Sequence, residues 1–141
     1  MTFELPNFLP YLLNQAAEAA SKDFQTFYRS KYNMLRTEWR VLFHLGCYGD
    51  MTAKGICEAA SMHKTKVSRA VNALERNRFL ARSADENDRR IEHLSLTKKG
   101  QRVFADLSGA ADTYERDLTA ALDPQEITAL RDTLRKLMVS R

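Results

Sequence analysis

The chain has 141 residues, of which 44% are hydrophobic and 28% charged, and its formal net charge is +4. This composition is typical of one globular domain and excludes a disordered chain or two independent domains. No apolar run approaches the roughly 18 residues that a membrane span requires. Residues 1–7 lack the basic start and apolar stretch of a signal peptide. We therefore expect a cytoplasmic protein with no membrane partner.

The positive charge is concentrated in the middle of the sequence. Residues 64–102 contain eleven Lys and Arg against five Asp and Glu, a local balance of +6, whereas the remaining positions carry eleven against thirteen, a balance of −2. A basic segment in a near-neutral chain favours a polyanionic partner, because neutralising phosphates releases counterions and supplies sequence-independent affinity. A merely solvated basic surface is the alternative at this point.

Two amphipathic helices are predicted before the basic segment. The first begins near Pro6 and ends before a turn at residues 31–33. Its apolar residues recur at spacings of three and four, and they are Leu5, Phe8, Leu9, Leu12, Leu13, Ala16, Ala20, Phe24, Phe27 and Tyr28. The second covers residues 38–46 and is followed by a break at residues 46–50. Its inward-facing residues are Trp39, Leu42, Phe43 and Leu45.

Two shorter helices are predicted next, joined by a tight turn. Thr52 is placed to cap the helix Ala53–Ala60. After a turn at residues 61–63, a second helix covers residues 64 to about 77. Two helices joined in this way are typical of a helix-turn-helix.

A β-hairpin is predicted to follow the second of these helices. Strands are expected at residues 79–83 and 91–96, on either side of a polar tip at residues 85–90. Thr97 then caps the next helix. The fold class is therefore mainly α with a small β-hairpin wing, a winged helix-turn-helix flanked by long dimerisation helices.

Two further helices are predicted at the C-terminal end. The first has a stripe of apolar residues made of Val103, Leu107, Ala111, Tyr114, Leu118 and Leu122. The second opens with Asp123 as N-cap, Pro124 at the first helical position and Glu126 closing a capping box. Its stripe is made of Ile127, Leu130, Leu134 and Leu137.

The long apolar stripes predict a homodimer. One small winged helix cannot cover every stripe, and an uncovered stripe would be an exposed apolar patch. We expect residues 1–33 and 101–141 to join two copies around the DNA-binding segment 34–100, within a single domain of residues 1–141. Folding back of the helices within one chain is the alternative.

The helix at residues 64–77 is the expected recognition helix. One sector of its helical wheel is apolar and predicts the core-facing side, made of Val67, Ala70, Val71 and Leu74. The opposite side is polar and carries no acidic residue. Arg reads a guanine edge and Asn an adenine edge through paired hydrogen bonds, whereas Lys suits phosphates. We expect base-edge contacts from Thr65, Ser68, Arg69 and Asn72, and backbone contacts from Lys64, Lys66 and Arg76.

The tip of the wing contains more positive charge than a turn requires. Arg89 and Arg90 follow each other at its end. A narrow minor groove concentrates negative potential and attracts arginine, so both are expected to contact the minor groove or phosphates. Asp88 would repel phosphate if it faced DNA. We interpret it as a support that orients an arginine or bonds the turn backbone.

Several segments together carry a family resemblance. They are Glu38-Trp39-Arg40-Val41-Leu42, Lys64-Thr65-Lys66-Val67-Ser68-Arg69 with Leu74-Glu75, and Asp88-Arg89-Arg90 leading to Leu94-Ser95-Leu96-Thr97 and Gly100. With these motifs in this order, the chain resembles the MarR family of bacterial transcriptional regulators over almost its whole length. The resemblance implies an obligate homodimer, a pseudo-palindromic double-stranded DNA operator, and repression that a small effector relieves.

The chain departs from the family pattern at three positions. Leu35 stands where Ser or Thr often precedes the Trp-bearing helix, so Asn33 or Thr37 is expected to cap it instead. Asn87 stands where the wing tip often has its first arginine, so the DNA contacts expected of the wing depend on Arg89 and Arg90. His63 replaces an acidic or small polar residue and is expected to be an ordinary turn residue, with a mildly pH-sensitive start of the recognition helix as the alternative.

A small aromatic or anionic effector is expected between the dimer helices and the winged helix. Aromatic walls and an anion partner are available there from Tyr11, Trp39, Arg40, Phe43 and His44. Packing within the core is the alternative role of these side chains.

Three other function classes are alternatives to a DNA-binding regulator released by a small molecule. A redox-sensing regulator would use Cys47 or Cys57, of which the second is expected to be a small core residue and the first to be more exposed. A winged helix that binds only protein is a further alternative. An enzyme is not expected, because His44, His63 and His93 lack metal-ligand spacing and no phosphate-binding glycine loop or nucleophile elbow occurs. No cofactor and no metal are therefore expected.

Overall fold

The computed structural model describes residues 2–139 and divides the chain into two compact units, Met1–Ser108 and Gly109–Arg141. The elements follow in the order α1 (Leu9–Tyr32), α2 (Arg36–Tyr48), β1 (Met51–Thr52), α3 (Ala53–Ala60), α4 (Lys64–Arg76), β2 (Leu80–Ala84), β3 (Glu92–Leu96), α5 (Lys98–Leu118) and α6 (Pro124–Met138). A short 3-10 helix, Leu5–Asn7, precedes α1. The winged helix-turn-helix class is confirmed by α3, α4 and the hairpin of β2 and β3.

The core of the first unit lies where α2, α3 and α4 meet the sheet. The apolar side of α4 is buried, with Val67 and Ala70 1%, Val71 2% and Leu74 0% exposed. Across from it lie Val41, Leu42, Leu45, Ile56 and Leu94, none more than 3% exposed. Burying a side chain of this size stabilises the fold by about 1.5–3 kcal/mol. The helical wheel of α4 is therefore confirmed.

The sheet has three antiparallel strands in the order β1-β3-β2. The hairpin pairs Arg82 with Leu94, and β1 pairs Met51 with the same leucine on its other side. The predicted hairpin is confirmed, although each strand begins one residue later than expected. Strand β1 was not predicted, because two residues between helices carry no strand periodicity and only long-range pairing defines them.

Both ends of α1 differ from the prediction. The helix begins at Leu9 rather than near Pro6, since Pro10 occupies its first turn and Pro6 lies in the separate 3-10 helix. It continues to Tyr32, past the expected end before residue 31. Asn33 ends it in the left-handed conformation at φ 51°, which asparagine tolerates better than most residues.

The backbone N–H at the start of α2 has a hydrogen-bond acceptor that the sequence did not predict. Leu35 is the N-cap and offers no side-chain acceptor, and neither Asn33 nor Thr37 caps the helix as expected. Instead the carboxylate of Glu38, three residues on, accepts a hydrogen bond from the backbone N–H of Leu35. This is one half of a capping box.

The helix α2 also runs past its predicted end. Gly46 lies inside it, and a Cβ there would be 2.4 Å from the ring of Phe104 on α5, so the close approach of the two helices requires glycine. The chain turns at Gly49, which has φ 80°.

Three predicted helix starts are confirmed by their hydrogen bonds. The Oγ1 of Thr52 accepts from the N–H of Gly55, 3.0 Å away, at the start of α3. Thr97 caps α5 in the same way through Gly100. Asp123 and Glu126 form the full capping box of α6. Helix α5 ends at Leu118, so Leu122 lies beyond the helix in which its apolar stripe was expected.

The apolar side chains of α1 and α6 are largely exposed. On α1 the exposed residues include Leu9 at 55% and Leu12 at 48%, and only Phe24 and Tyr28 are buried. Helix α6 has no buried residue, and Leu130 on it is 50% exposed. Within residues 2–139, no helix combines the length and apolar character needed to cross a membrane.

Candidate nucleic-acid interface

The exposed side of α4 carries all seven of its predicted DNA-contacting residues. They are Lys64, Thr65, Lys66, Ser68, Arg69, Asn72 and Arg76, and each is exposed. Because the apolar residues of α4 anchor it to the core, its polar side chains project together on the outer face. The structure thus brings these residues onto one surface, while their individual contacts stay predictions.

The first turn of α4 is capped by histidine. The backbone N–H of Thr65 donates a hydrogen bond to Nδ1 of His63, 3.1 Å away. His63 is therefore more than the ordinary turn residue that was expected. The positive end of the helix dipole and the cation of Lys64 lie at this same turn, which favours an anion such as phosphate.

Three cations of this surface have no partner among residues 2–139. The side chains of Lys64, Lys66 and Arg69 form no ion pair or hydrogen bond with any residue in the part of the chain that is described. Some cations elsewhere are paired, for example Arg36 with Glu18 at 3.1 Å and Arg131 with Glu115 at 3.1 Å. The exposed side of the recognition helix thus presents three cations that are free to bind an anion.

Arg76, at the other end of α4, lies near a buried carboxylate. Glu38 is 7% exposed, and its burial raises its pKa, while the N–H of Leu35 and the positive charge of Arg76 act in the opposite direction. A buried acid beneath the recognition helix therefore attracts the last cation on its exposed face.

The wing tip is built around Asp85. Its Oδ2 accepts hydrogen bonds from the backbone N–H groups of Asn87 and Asp88, both at 3.0 Å, and its Oδ1 lies 2.8 Å from Nε2 of His93. The His93 hydrogen bond, followed by the two backbone ones, lowers the pKa of Asp85. The tip is thus an Asx turn tied to the opposite strand.

Asp88 holds Arg90 through both side chain and backbone. Its Oδ1 accepts from the Nε and the backbone N–H of Arg90, at 3.1 and 3.0 Å, and its Oδ2 accepts from Nη2 at 3.1 Å. These bonds lower the pKa of Asp88. The side chain of Arg90 is nevertheless 91% exposed, so its guanidinium is both oriented and accessible. Arg89 beside it is exposed and has no ion pair or hydrogen bond with residues 2–139.

Sequence reasoning missed two residues that shape this surface, Arg82 and Asp85. Arg82 on β2 donates hydrogen bonds to Asn72 and Glu75 on α4. No sequence signal identifies it, because a contact between a wing strand and a helix depends on register. Asp85 could have been found, since Asp followed by two more polar residues at a strand end is typical of an Asx turn.

The predicted effector residues are only partly brought together. Trp39 stacks on Tyr28 with ring centroids 5.9 Å apart and lies 4.8 Å from the ring of Phe43. His44 donates from Nδ1 to the carbonyl of Arg40 at 2.7 Å, and the guanidinium of Arg40 donates to the carbonyl of Ala60.

Tyr11 stands apart from these four residues. It is 37% exposed on α1, and no hydrogen bond or ring contact joins it to them among the described residues. The Nε1 of Trp39 is buried and has no hydrogen-bond partner within residues 2–139.

The two cysteines occupy different environments. Cys47 is exposed near the end of α2, as predicted. Cys57 is only half-buried, so the prediction of a core residue was wrong; its side chain lines a cavity of about 460 Å³ with Ser68, Val71 and Arg82. In the described part of the chain, no cluster of three or more His, Cys, Asp or Glu side chains is arranged to hold a metal ion.

Comparison with known proteins agrees with this geometry. The MarR family model matches residues 32–91, from the end of α1 to the wing. An HTH-type transcriptional regulator of Bacillus subtilis, YwaE, is 26% identical over 125 residues, which is 89% of this chain and 73% of that protein.

Solved structures share the fold across nearly the whole chain. A MarR/EmrR family transcriptional regulator from Acinetobacter sp. ADP1 has a TM-score of 0.86 and 25% identity, with 96% of this chain and 95% of that one covered. BpsR of Bordetella bronchiseptica has a TM-score of 0.90 and full coverage of both chains, and at 21% identity this likeness concerns the fold alone. Over residues 32–91 the chain is thus similar to the MarR family of transcriptional regulators.

Proposed function

We propose that a homodimer of this chain binds a pseudo-palindromic DNA operator in the cytoplasm and acts as a repressor that a small molecule releases. One observation carries the proposal. The cations Lys64, Lys66, Arg69 and Arg89 are exposed and unpaired among the described residues, on one helix and the adjacent wing. Such a surface gains affinity from duplex phosphates, because their neutralisation releases counterions.

The roles within the interface follow from side-chain chemistry. Thr65, Ser68, Arg69 and Asn72 take base edges, whereas Lys64, Lys66 and Arg76 hold the phosphate backbone. In the wing, Arg90 contacts the minor groove or its phosphates in the orientation that Asp88 gives it, and Arg89 contacts the backbone. The whole surface is a binding site and no catalytic role is assigned to it.

The homodimer is supported by the apolar side chains that one chain leaves exposed. Residues such as Leu9, Leu12 and Leu130 would be covered if the segments 1–33 and 101–141 met those of a second copy. The segment 34–100 would then present one recognition helix per copy. Two-fold symmetry places them about one DNA turn, or roughly 34 Å, apart.

The effector proposal is supported by the aromatic cluster. The buried Nε1 of Trp39 has no acceptor within residues 2–139, and an unsatisfied buried donor costs about 1–3 kcal/mol. A small aromatic ligand with a carbonyl or carboxylate would supply that acceptor and stack on the neighbouring rings. The DNA binding of BpsR is regulated by 6-hydroxynicotinic acid, a ligand of this chemical kind.

The test of the DNA-binding proposal is the selection of bound fragments from genomic DNA, followed by binding measurements on the enriched site. Arg69→Ala is expected to weaken binding to that site by about 1–3 kcal/mol and to relax base preference at one position. Equal losses on random and selected DNA would make Arg69 a backbone contact. Failure to enrich any fragment with the folded protein would reject DNA binding itself.

A further inference from the structure

Arg82 joins the wing to the recognition helix through a single guanidinium group. Its Nη2 donates to Oδ1 of Asn72 at 2.5 Å, and its Nε donates to Oε1 of Glu75 at 3.0 Å. Its Nη1 lies 3.5 Å from Oε2 of Glu92 on β3. One side chain from β2 thus contacts α4 twice and the neighbouring strand once.

Strand register explains why Arg82 reaches α4. It pairs with Leu94, and directly paired residues point to the same face of a sheet. Leu94 is 1% exposed in the core, so the side chain of Arg82 leaves the sheet on the side that faces α4. Asn72 and Glu75 are three residues apart on α4 and therefore neighbours on its surface, within reach of one guanidinium fork.

The chemistry of the guanidinium fixes the orientation of the Asn72 amide. Arginine has only hydrogen-bond donors, so only the oxygen of an amide can face it. The amide NH2 group of Asn72 is therefore turned away from Arg82. An asparagine without this contact would be free to present either end to a base.

We propose, on the basis of the proposed DNA-binding function, that Arg82 is a specificity-determining positioning residue. It holds Asn72 with its NH2 group toward the duplex, so the base edge beneath Asn72 is read as a hydrogen-bond acceptor. Acceptors in the major groove are N7 of either purine, O6 of guanine and O4 of thymine, whereas cytosine presents a donor. Arg82 also neutralises the carboxylates of Glu75 and Glu92, which would otherwise repel phosphates.

The test uses Arg82→Lys, which keeps the positive charge but lacks the planar fork. Sequence selection is first carried out with the wild type and with Asn72→Ala. The base pair whose preference is lost in Asn72→Ala is the one assigned to Asn72. Arg82→Lys is expected to reduce discrimination at this same base pair roughly five- to tenfold, at the lower end of what one base contact supplies. The slope of affinity against salt should stay unchanged. The double variant with Asn72→Ala should lose no more discrimination than Asn72→Ala alone.

A matched control is Arg131→Lys, which makes the same change in an ion pair with Glu115 on α5 and should leave base preference unchanged. Thermal denaturation of each variant verifies that it is folded. Unchanged discrimination in folded Arg82→Lys overturns the proposal, as does an equal loss of affinity for every duplex. If the wild type binds no duplex, the proposed function fails instead, so the two failures are distinct.

Discussion

The recognition helix α4 and the first half of α1 carry the same kind of apolar stripe, but only the stripe of α4 is buried by its own chain. On α4 every apolar residue of the stripe is buried by its own chain, with Val67 1% and Leu74 0% exposed. On α1 the stripe is left open, with Leu9 55% and Leu12 48% exposed. Helical periodicity therefore indicates that a face needs cover and does not indicate what covers it.

The uncovered side of each helix points to a different partner. What α4 leaves exposed is polar and cationic, which suits a polyanion. What α1 leaves exposed is apolar, which suits a second protein surface.

An added side-chain atom in the buried core of the winged helix should destabilise the fold. A Cβ at Gly100 would lie 2.0 Å from the backbone carbonyl oxygen of Phe79, at the base of the wing. Gly100→Ala is therefore expected to destabilise the fold by about 2–3 kcal/mol or more, as measured by chemical denaturation. Gly109→Ala is the control on the same helix, because nothing lies within 4 Å of its added Cβ; it should be stabilising by up to about 1 kcal/mol. Equal effects of the two substitutions would contradict this packing.

A substitution on the exposed apolar stripe of α1 should change the strength of dimer association rather than the stability of the fold. Leu12 is 48% exposed, and Leu12→Glu places a charge on the apolar stripe of α1. We expect the dimer to weaken about tenfold or more, which is about 1.4 kcal/mol, as measured by analytical ultracentrifugation. Asn14→Glu adds the same charge on the other side of the helix and should leave association unchanged. A Leu12→Glu protein that dimerises as strongly as the wild type would reject α1 as part of the interface.

The wing should contribute charge and not sequence preference. Arg90→Ala is expected to weaken binding to all duplexes alike and to reduce the salt slope by about one unit, because one phosphate-neutralising cation is lost. Arg135→Ala removes the same charge from α6 and should leave the slope unchanged. An unaltered slope in Arg90→Ala would exclude this residue from the DNA contacts.

The smallest effect concerns the buried acid beneath α4. Burial raises the pKa of Glu38, so the folded state holds the proton more tightly than the unfolded chain does. The stability of the wild type should therefore fall as pH rises from the ordinary carboxyl range through the raised pKa. Glu38→Gln keeps an acceptor for Leu35 and cannot ionise. The difference in melting temperature between Glu38→Gln and the wild type should shift in favour of the variant as pH rises from about 4 to about 7. A difference that stays constant over this range would contradict a raised pKa for Glu38.

Local signals were sufficient for most of the fold. Thr52 and Asp123 cap their helices through residues three positions away, so the sequence alone predicts them. Strand β1 and the helical position of Gly46 were beyond prediction because both depend on distant contacts, with Leu94 and with Phe104.

The same distinction applies to the candidate site. The exposed face of α4 follows from helical geometry. The contact of Arg82 with Asn72 follows from strand register and was therefore invisible in the sequence.

If the exposed cations of α4 and the wing neutralise DNA phosphates, the affinity of the dimer for a labelled duplex must depend strongly on salt concentration. For six to ten phosphate contacts per dimer, the logarithm of the binding constant should fall linearly with the logarithm of salt concentration, with a slope of about −5 to −9. A slope near zero, or no binding to any duplex at about 50 mM salt by the folded dimer, would contradict phosphate neutralisation by this surface.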